Sequence, residues 1–191
     1  MDHPDHVRLI RDGVTGAGMS WADLGSGGGA FTMALADLLG PAGRIVSIDR
    51  DADAVRNQAR QMAQRFPAVA VDQRLADFRE PLDLHGLDGI VMANSLHFVR
   101  DKAPVLANVR GYLRDGGRLI LVEYDADKGN PWVPFPLSFE TWRVVAAEAG
   151  FDDTTRLASI PSRFLGSIYS ALSIRPRGPT ADRVDERMGP A

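Results

Sequence analysis

Four glycines occupy five consecutive positions, 25 to 29, within the stretch ADLGSGGGAFT (residues 22–32). The stretch follows an apolar run, WADLG, and precedes Phe31, Leu35 and Leu38, which are spaced to share one face of a helix. Glycines between a strand and a helix let the backbone approach a ligand where a side chain would collide, and the free N–H groups of the helix start attract an anion. The stretch therefore predicts a strand, a loop and a helix that bind a nucleotide-like molecule carrying a carboxylate or a phosphate.

Strand-like runs alternate with longer stretches of helical period along the chain, which predicts an α/β fold. Five runs fit parallel strands: WADLG, RIVSIDRD, AVAVDQRLAD, LDGIVMANS and GGRLILVEYD. Two later runs, TTRLASI and SIYSALSIR, have only PSRFLG between them, which is too short for a crossover helix, so they must be antiparallel neighbours. We expect a doubly wound, mostly parallel, seven-stranded sheet with an antiparallel C-terminal hairpin, enclosed between two layers of helices.

The length of the chain predicts a single domain over residues 1–175. A chain of 191 residues that is 45% hydrophobic can bury one core. Residues 1–19 contain a short helix around HVRLIRDGV, which we interpret as an N-terminal helix or lid. Residues 176–191 are polar, contain proline and glycine and have no period, so we expect a disordered tail. Asp51 and Asp101 are expected to cap the helices that follow them.

Composition argues against several kinds of partner. A net charge of −3 gives no basic field for a nucleic acid backbone, so no nucleic acid is expected. The absence of cysteine excludes disulfides, thiolate metal sites and cysteine nucleophiles. No apolar run has the length of a membrane span or of a signal-peptide core, so we expect a cytoplasmic protein with no membrane partner. His3 and His6 have no cluster of further ligands around them, and we predict no metal.

The glycine stretch fits two motifs. Gly25, Gly27 and Ala30 match the G-x-G-x-x-G/A dinucleotide fingerprint, in which Asp49 after the second strand would bind a ribose. That interpretation implies a nicotinamide or flavin enzyme. The second motif adds Asp23 and Gly29, which complete D-x-G-x-G-x-G.

The second motif resembles motif I of the class I S-adenosylmethionine-dependent methyltransferases, and the chain resembles their small-molecule branch. Asp49 in SIDRD and Asp77 in LADF stand where that family has its ribose-binding and adenine-facing acids. LRDGGRLILVE resembles the segment that leads into the fifth strand, with Asp115 in place of the usual proline. AGF and the terminal hairpin resemble its reversed last strand, whereas a dinucleotide fold would continue in parallel. The hairpin and Asp77 together favour the methyltransferase.

The resemblance implies S-adenosylmethionine as cofactor, S-adenosylhomocysteine as product, and a set of cofactor-binding residues: Asp23, Gly25, Ser26, Gly27, Gly29, Asp49, Arg50, Ala76, Asp77, Phe78 and Asn94. The glycine backbone would receive the amino acid end. Asp49 would bind the ribose hydroxyls and Asp77 the adenine amino group, with the N–H of Ala76 or Phe78 on a ring nitrogen. Other interpretations stay open: Asp23 either binds the ammonium or orders the loop, and Asp49 and Asp77 can be ordinary surface or loop acids.

Residues after the fourth and fifth strands are candidates for the acceptor side, because carboxyl ends of parallel strands share one edge. His97 is a candidate general base, since its reference pKa is near neutrality, or it packs over the cofactor. Glu123 and Tyr124 are candidate catalytic groups, or they belong to the charged surface together with Asp125.

Substrate contacts are expected from His97, Tyr124 and two aromatic residues of the segment DADKGNPWVPFPL, namely Trp132 and Phe135. These aromatic side chains either form an apolar acceptor wall or pack against Trp142.

Together these features predict a methyltransferase that transfers a methyl group by in-line displacement to an unidentified small, partly apolar acceptor. The short N-terminal segment leaves the predicted site open, so either a partner subunit completes it, as in a homodimer, or the acceptor is large. The alternatives are a protein or RNA methyltransferase and a nicotinamide-dependent oxidoreductase.

Overall fold

The computed structural model describes residues 1–16, 18–162 and 164–178. Helices and strands alternate along these segments: α1 (His3–Ile10), β1 (Ser20–Leu24), α2 (Ala30–Leu39), β2 (Arg44–Asp49), α3 (Ala52–Arg65), β3 (Ala70–Leu75), β4 (Leu87–Ala93), a 3₁₀ helix (Leu96–Phe98), α4 (Ala103–Tyr112), β5 (Leu113–Tyr124), α5 (Phe139–Glu148), β6 (Asp152–Pro161) and β7 (Ser167–Ile174).

The strands form one sheet in the order β3-β2-β1-β4-β5-β7-β6. The first five strands are parallel, and β7 runs antiparallel to both β5 and β6, which confirms the predicted terminal hairpin. Strand order changes direction between β1 and β4, which are direct neighbours. This is the point at which open α/β sheets place their ligands.

Helices cover both faces of the sheet, so the predicted three-layer arrangement is confirmed. Successive residues of a strand point to opposite faces, and Trp21 of β1 joins one core cluster whereas Ala22 and Leu24 join the other. Apolar residues of α1, α2 and α3 complete the first cluster. Residues of α4 and α5, including the fully buried Trp142, complete the second.

Of the two N-caps predicted from the sequence, the structure confirms that of α3 and corrects that of α4. Asp51 caps α3 as predicted, because its side chain accepts hydrogen bonds from the N–H groups of Asp53 and Ala54. The prediction for α4 is wrong by one residue. Its N-cap position is held by Lys102, and Asp101 instead accepts from the N–H of Ala103 at 3.2 Å.

None of the helices in the described segments combines the length and the apolar character needed to cross a membrane. The cytoplasmic location stays a prediction. Most of the predicted disordered tail, residues 179–191, lies outside the described residues.

Candidate active site

A cleft of about 380 Å³ opens at the carboxyl edge of the sheet, where β1 and β4 lie side by side. The segments that follow β1, β2, β3 and β4 all line it: Gly25, Gly27, Asp49, Arg50, Ala76, Asp77, Phe78, Arg79, Asn94, Ser95 and Phe98. The structure thus brings together the residues predicted to bind a cofactor, except Asp23, Ser26 and Gly29. Those three lie behind the cleft wall, in or under the glycine loop.

The motif glycines of this loop are required for different reasons. A Cβ on Gly25 would lie 2.5 Å from the Cβ of Ser95, and one on Gly29, whose φ is +84°, would lie 2.5 Å from Cγ of Gln58. Both glycines therefore allow close packing within the protein. Gly27 has open space where a Cβ would stand, and it lines the cleft. Gly25 lines the cleft as well, but of the three only Gly27 has open space on the side where a Cβ would stand.

A buried polar network lies under the glycine loop, and sequence reasoning missed most of it. The hydroxyl of Thr32 donates to Asp23 Oδ2 at 2.6 Å, and Gln58 Nε2 lies 2.6 Å from Thr32 Oγ1 and 2.7 Å from Ser47 Oγ. All four side chains are at most 1% exposed. The network connects β1, α2, β2 and α3, so it holds the loop from below. The sequence signal for three of its members is an isolated polar residue between apolar neighbours: Asp23 in β1, Thr32 in α2 and Ser47 in β2.

Asp23 is the charged member of this network. Burial raises the pKa of its carboxyl to about 7; the hydrogen bond from Thr32 opposes the rise, and the nearby Asp49 carboxylate adds to it. Its Oδ1 has no hydrogen-bond partner among the described residues. Between the two predicted roles, this position behind the loop favours ordering of the loop over direct contact with a ligand.

Asp49 connects the end of β2 to the glycine loop. Its Oδ2 accepts the N–H of Gly27 at 2.7 Å, and its Oδ1 accepts the N–H of Asp51 at 2.8 Å. A carboxylate has about four lone-pair sites, so two are left for other donors such as ribose hydroxyls. Because the carboxylate lines the cleft, it is available to a ligand from that side.

Asp77 is already paired in the structure. Both of its carboxylate oxygens accept from the Arg79 guanidinium, with Nε at 2.9 and 3.0 Å, and Arg50 lies 3.9 Å away. The hydrogen bond from Arg79 lowers the pKa of the Asp77 carboxyl, although partial burial opposes the shift. An adenine amino group at Asp77 would therefore share the carboxylate with Arg79, which sequence reasoning did not place in the site.

The N–H groups of Ala76 and Phe78, the two predicted donors to an adenine ring nitrogen, differ in whether they already have an acceptor. The N–H of Ala76 donates to the carbonyl of Asp49 at 3.0 Å, so it is committed to the sheet edge. The N–H of Phe78 has no protein acceptor among the described residues, so it can donate to a ligand in the cleft. Ala76 contributes to the cleft wall without offering its N–H.

Two buried polar atoms around the cleft have no partner among the described residues: Ser26 Oγ and Asn94 Oδ1. Asn94 ends β4 with φ +49°, a left-handed conformation that asparagine tolerates better than most residues. Buried polar atoms are almost always hydrogen-bonded, so the Asn94 oxygen, on the cleft wall, is available to a polar ligand, whereas Ser26 lies behind that wall. With the open space at Gly27 and the two carboxylates, the residues present fit a ligand that has an amino acid end and a nucleoside end, as S-adenosylmethionine has.

His97 and Glu123 form a buried pair beside the cleft. His97 is 3% exposed and Glu123 is fully buried, with His97 Nδ1 2.8 Å from Glu123 Oε2. The interpretation of Glu123 as surface charge is therefore wrong. A carboxylate opposite Nδ1 favours the tautomer protonated there, so Nε2 carries the lone pair. His97 does not itself line the cleft; the neighbouring Phe98 does.

Packing against the buried Trp142 is one of the two predictions for the aromatic candidates, and for Trp132 it is wrong. Trp132 is 71% exposed, and its ring lies 6.4 Å from that of Phe164 in an edge-on contact. The ring of Tyr124 lies between His97 and Phe164, at 6.1 and 5.7 Å. Sequence reasoning missed Phe164, because only the β6–β7 turn brings it back to this edge.

Phe135 anchors the segment between β5 and α5 to the segment after β4. Its N–H donates to the carbonyl of His97 at 3.0 Å, and Lys102 Nζ donates to the carbonyls of Phe135 and Val99 at 3.1 and 2.8 Å. Burial lowers the pKa of the Lys102 ammonium, and the nearby Glu123 carboxylate opposes the shift. Phe135 therefore helps to hold the segment that carries His97 in place.

Two other expectations concern the N-terminal segment and metals. The helix α1 packs against α2, β6 and β7, and none of its residues lines the cleft. His3 Nε2 lies 2.9 Å from Asp37 Oδ2 on the surface. Within the described segments, no group of three histidine, aspartate or glutamate side chains is arranged to hold a metal ion.

Comparison with known proteins agrees with this geometry. A family model described as a methyltransferase domain matches residues 16–150. The chain is 39% identical over 111 residues to a 37.1 kDa protein of transposon TN4556 from Streptomyces fradiae, covering 58% of this chain and 31% of that protein. It is 34% identical over 120 residues to the ribosomal RNA small subunit methyltransferase H of Porphyromonas gingivalis, covering 56% of this chain and 38% of that protein. The chain thus spans about a third of the length of these curated relatives.

The fold is also similar to a solved structure. An S-adenosylmethionine-dependent methyltransferase from Aquifex aeolicus superimposes with a TM-score of 0.71 at 17% identity, over 90% of this chain and 89% of that one. The match of the family model covers most of the chain and contains the whole cleft. The chain therefore belongs to the methyltransferase domain family, with the Rossmann-like class I fold whose members take S-adenosylmethionine as methyl donor.

Proposed function

We propose that this protein transfers a methyl group from S-adenosylmethionine to a small, partly apolar acceptor. The observation that carries the proposal is the cleft, where glycine backbone and the carboxylates of Asp49 and Asp77 converge at the carboxyl ends of the neighbouring strands β1 and β4. When bound, S-adenosylmethionine supplies a methyl group on a sulfonium sulfur, which an acceptor takes by in-line displacement. Because such a donor needs no further activation, the task of the chain's own residues is to align the acceptor and, where required, to remove its proton.

Residues on the cleft wall would hold the cofactor. The backbone of Gly25 and Gly27, whose N–H groups donate to the Ile48 carbonyl and to Asp49, would form the wall against the amino acid end. The free lone pairs of Asp49 would accept from ribose hydroxyls. Asp77 and the N–H of Phe78 would meet the adenine edge. Behind the wall, Asp23 and Gly29 would keep the loop in shape through the network that includes Thr32, Ser47 and Gln58.

On the acceptor side, His97 would serve as the base or as the residue that shapes the site. Glu123 holds the ring through Nδ1 and holds the backbone through the N–H of His97, which leaves Nε2 to receive a proton. The ring is nearly buried between Phe98 and Tyr124, so a proton from an acceptor would reach Nε2 only after a local shift of these side chains. Glu123 would act through His97 and would not contact the acceptor.

The test is isothermal titration of the chain with S-adenosylhomocysteine, with NADH as the control ligand. Binding of S-adenosylhomocysteine without binding of NADH is expected. Binding of NADH alone would replace the proposal by a nicotinamide-dependent oxidoreductase. Binding of neither would contradict the cofactor assignment for this chain.

A second candidate function is methylation of RNA. It is favoured by the similarity to the ribosomal RNA methyltransferase H, whose name states its substrate, and by the absence of a helical cover over the cleft from the described N-terminal residues. The net charge of −3 argues against it, because RNA binding relies on contacts to phosphates. Incubation with labelled methyl donor and bulk RNA, beside a small-molecule fraction, separates the two functions by where the label appears.

A further inference from the structure

Five aromatic side chains form a continuous row along the carboxyl edge of the sheet, which we call the aromatic row: Phe98, His97, Tyr124, Phe164 and Trp132. Successive ring centroids are 4.3, 6.1, 5.7 and 6.4 Å apart. Aromatic rings at such distances are in direct contact. Three separate parts of the chain contribute: the segment after β4, the segment from the end of β5 onward, and the turn between β6 and β7. The row is therefore a product of the fold.

Three of the five side chains are exposed to a degree that is unusual for large apolar residues, whereas His97, between Phe98 and Tyr124, is only 3% exposed. Phe98 is 55%, Trp132 71% and Phe164 48% exposed. Elsewhere in the described segments, the exposed large apolar side chains are Met1, Leu75 and Val144, and none of these joins the row. Single exposed apolar residues need no explanation, whereas exposed apolar rings in contact with each other, as Phe164 and Trp132 are, mark a surface that binds something.

One end of the row belongs to the cofactor cleft. Phe98 lines the cleft together with Asn94 and Ser95, and it also contacts His97, the next member of the row. A molecule lying on the row would therefore reach the cleft at its Phe98 end. A methyl acceptor has to meet the methyl donor, so the acceptor is the occupant that this continuity favours.

Charge near the row favours an uncharged occupant over a cationic one. The carboxylate of Glu123 is taken by His97, and that of Asp125 is taken by Arg156 at 2.9 Å and by the N–H of Phe139 at 2.9 Å. Asp127 accepts the N–H of Ser138 at 2.9 Å. A bound cation would have to share Glu123 and Asp125, because both oxygens of each already accept hydrogen bonds from the protein. Neutral rings lose nothing in such surroundings and gain contact with each aromatic face and edge.

We propose that the aromatic row is the acceptor site and that the acceptor is a free small molecule with a planar, uncharged aromatic ring system. The proposal rests on the proposed function and narrows its substrate class. Neighbouring rings of the row are tilted by 51° to 79°, so they present both faces and edges to a guest. A flat ring can satisfy these contacts by stacking and by edge-to-face packing, which a saturated ring of the same size cannot do.

The test compares two probes of the same carbon skeleton, 2-naphthol and decahydro-2-naphthol, by calorimetry on the full chain saturated with S-adenosylhomocysteine. We expect 2-naphthol to bind at least fivefold more tightly than the saturated analogue. Trp132→Ala and Phe164→Ala should each weaken 2-naphthol binding at least fivefold and leave S-adenosylhomocysteine affinity unchanged. Val144→Ala, which removes an exposed apolar side chain outside the row, is the matched control and should change neither.

Equal binding of the two probes would overturn the proposal, and so would 2-naphthol binding that survives both row substitutions. A short oligouridylate that binds more tightly than 2-naphthol, and loses that binding in Trp132→Ala, would overturn the assignment to a free small molecule. Failure of the proposed function is read separately, because S-adenosylhomocysteine would then not bind. Titrations of the two naphthol probes without S-adenosylhomocysteine would still test whether the aromatic row binds a flat ring.

Discussion

His97 Nδ1 lies 2.8 Å from Glu123 Oε2, and the backbone N–H of His97 donates to Glu123 Oε1 at 3.1 Å. One carboxylate at the end of β5 thus fixes both the ring and the backbone of the segment after β4. Both side chains are buried, so neither hydrogen bond can be replaced by solvent. The pair connects the stability of the fold to the geometry of the acceptor side, and the two effects can be measured separately.

Removing Glu123 should destabilise the fold strongly. Glu123→Ala leaves the His97 ring and backbone donors buried without a partner, and breaking a buried pair typically costs about 3–5 kcal/mol. Glu123→Gln keeps an acceptor oxygen and should cost clearly less. Urea unfolding measures both, with Glu140→Ala as the control, because Glu140 is an exposed acid paired only with Arg143. If Glu123→Ala lowers the free energy of unfolding no more than Glu140→Ala does, the His97–Glu123 pair does not stabilise the fold.

His97→Ala should lower turnover more than it lowers cofactor affinity, since His97 lies on the acceptor side and does not line the cleft. The measurement compares kcat in a labelled-donor assay with the dissociation constant of S-adenosylhomocysteine. A base role also predicts that the pH–rate profile of the parent loses its acidic limb in His97→Gln. Equal losses of turnover and cofactor binding, with an unchanged profile, would assign His97 to packing alone.

Asp23 should make the stability of the ligand-free protein fall as pH rises towards neutrality. The folded-state pKa of about 7 exceeds the ordinary value of 3.8, so between these values the folded chain holds a proton that the unfolded chain has released. Stability therefore decreases with pH across this window, by about 1.6 kcal/mol from pH 5.5 to pH 7, because the slope of about 1.4 kcal/mol per unit flattens as the pH approaches the folded-state pKa.

Asp23→Asn removes that dependence. The difference in unfolding free energy between the variant and the parent should grow in favour of the variant by about 1.6 kcal/mol over the same pH range, as measured by urea unfolding. Asp72→Asn, at an exposed acid on β3 that pairs with Arg74, is the matched control. A difference that does not change with pH would show that Asp23 is ionised in the folded protein throughout.

Asp49→Ala should weaken S-adenosylhomocysteine binding by about 1.5–3 kcal/mol, the scale of hydrogen bonds to a charged group. Part of the loss comes through Gly27, whose N–H the carboxylate now accepts at 2.7 Å. Titration calorimetry measures the change. Asp53→Ala, at an acid of the next helix whose side chain is exposed and paired with Arg56, should leave affinity unaltered. An unaltered affinity in Asp49→Ala as well would remove Asp49 from the site.

Three neighbouring glycines should respond differently to alanine. Gly29→Ala forces a Cβ against Gln58 at positive φ and should lower the melting temperature markedly. Gly27→Ala meets open space at φ +51°, so it should cost about 1 kcal/mol of stability while obstructing the ligand side of the loop. Gly28→Ala meets open space without a positive φ and is the control. Thermal melts measure the stability of the three variants, and titrations measure their affinity for S-adenosylhomocysteine. Equal melting temperatures and equal affinities in all three would contradict the assigned roles.

The sequence predicted the elements and their order well because the signals are local. The apolar periods of α2 and α4, the Asp51 cap and the short connection between β6 and β7 each depend on residues close in the chain. Most residues of the cleft wall were also predicted from the sequence, because they follow parallel strands and the carboxyl ends of parallel strands share one edge of the sheet. The capping of α4 differed by one residue because Asp101 and Lys102 are both placed at a helix start, and only the backbone geometry selects between them.

By itself the sequence determined the glycine loop, the two acids after β2 and β3, and the class of fold, since glycine spacing and strand alternation leave few ways to build such a sheet. Tertiary structure decided what those residues touch. It paired Asp77 with Arg79, placed Asp23 in a buried network, joined His97 to Glu123 across β4 and β5, and brought Phe164 to Tyr124. Each of these contacts depends on the relative position of distant segments, which is set by how the strands and helices pack together and which no local pattern encodes.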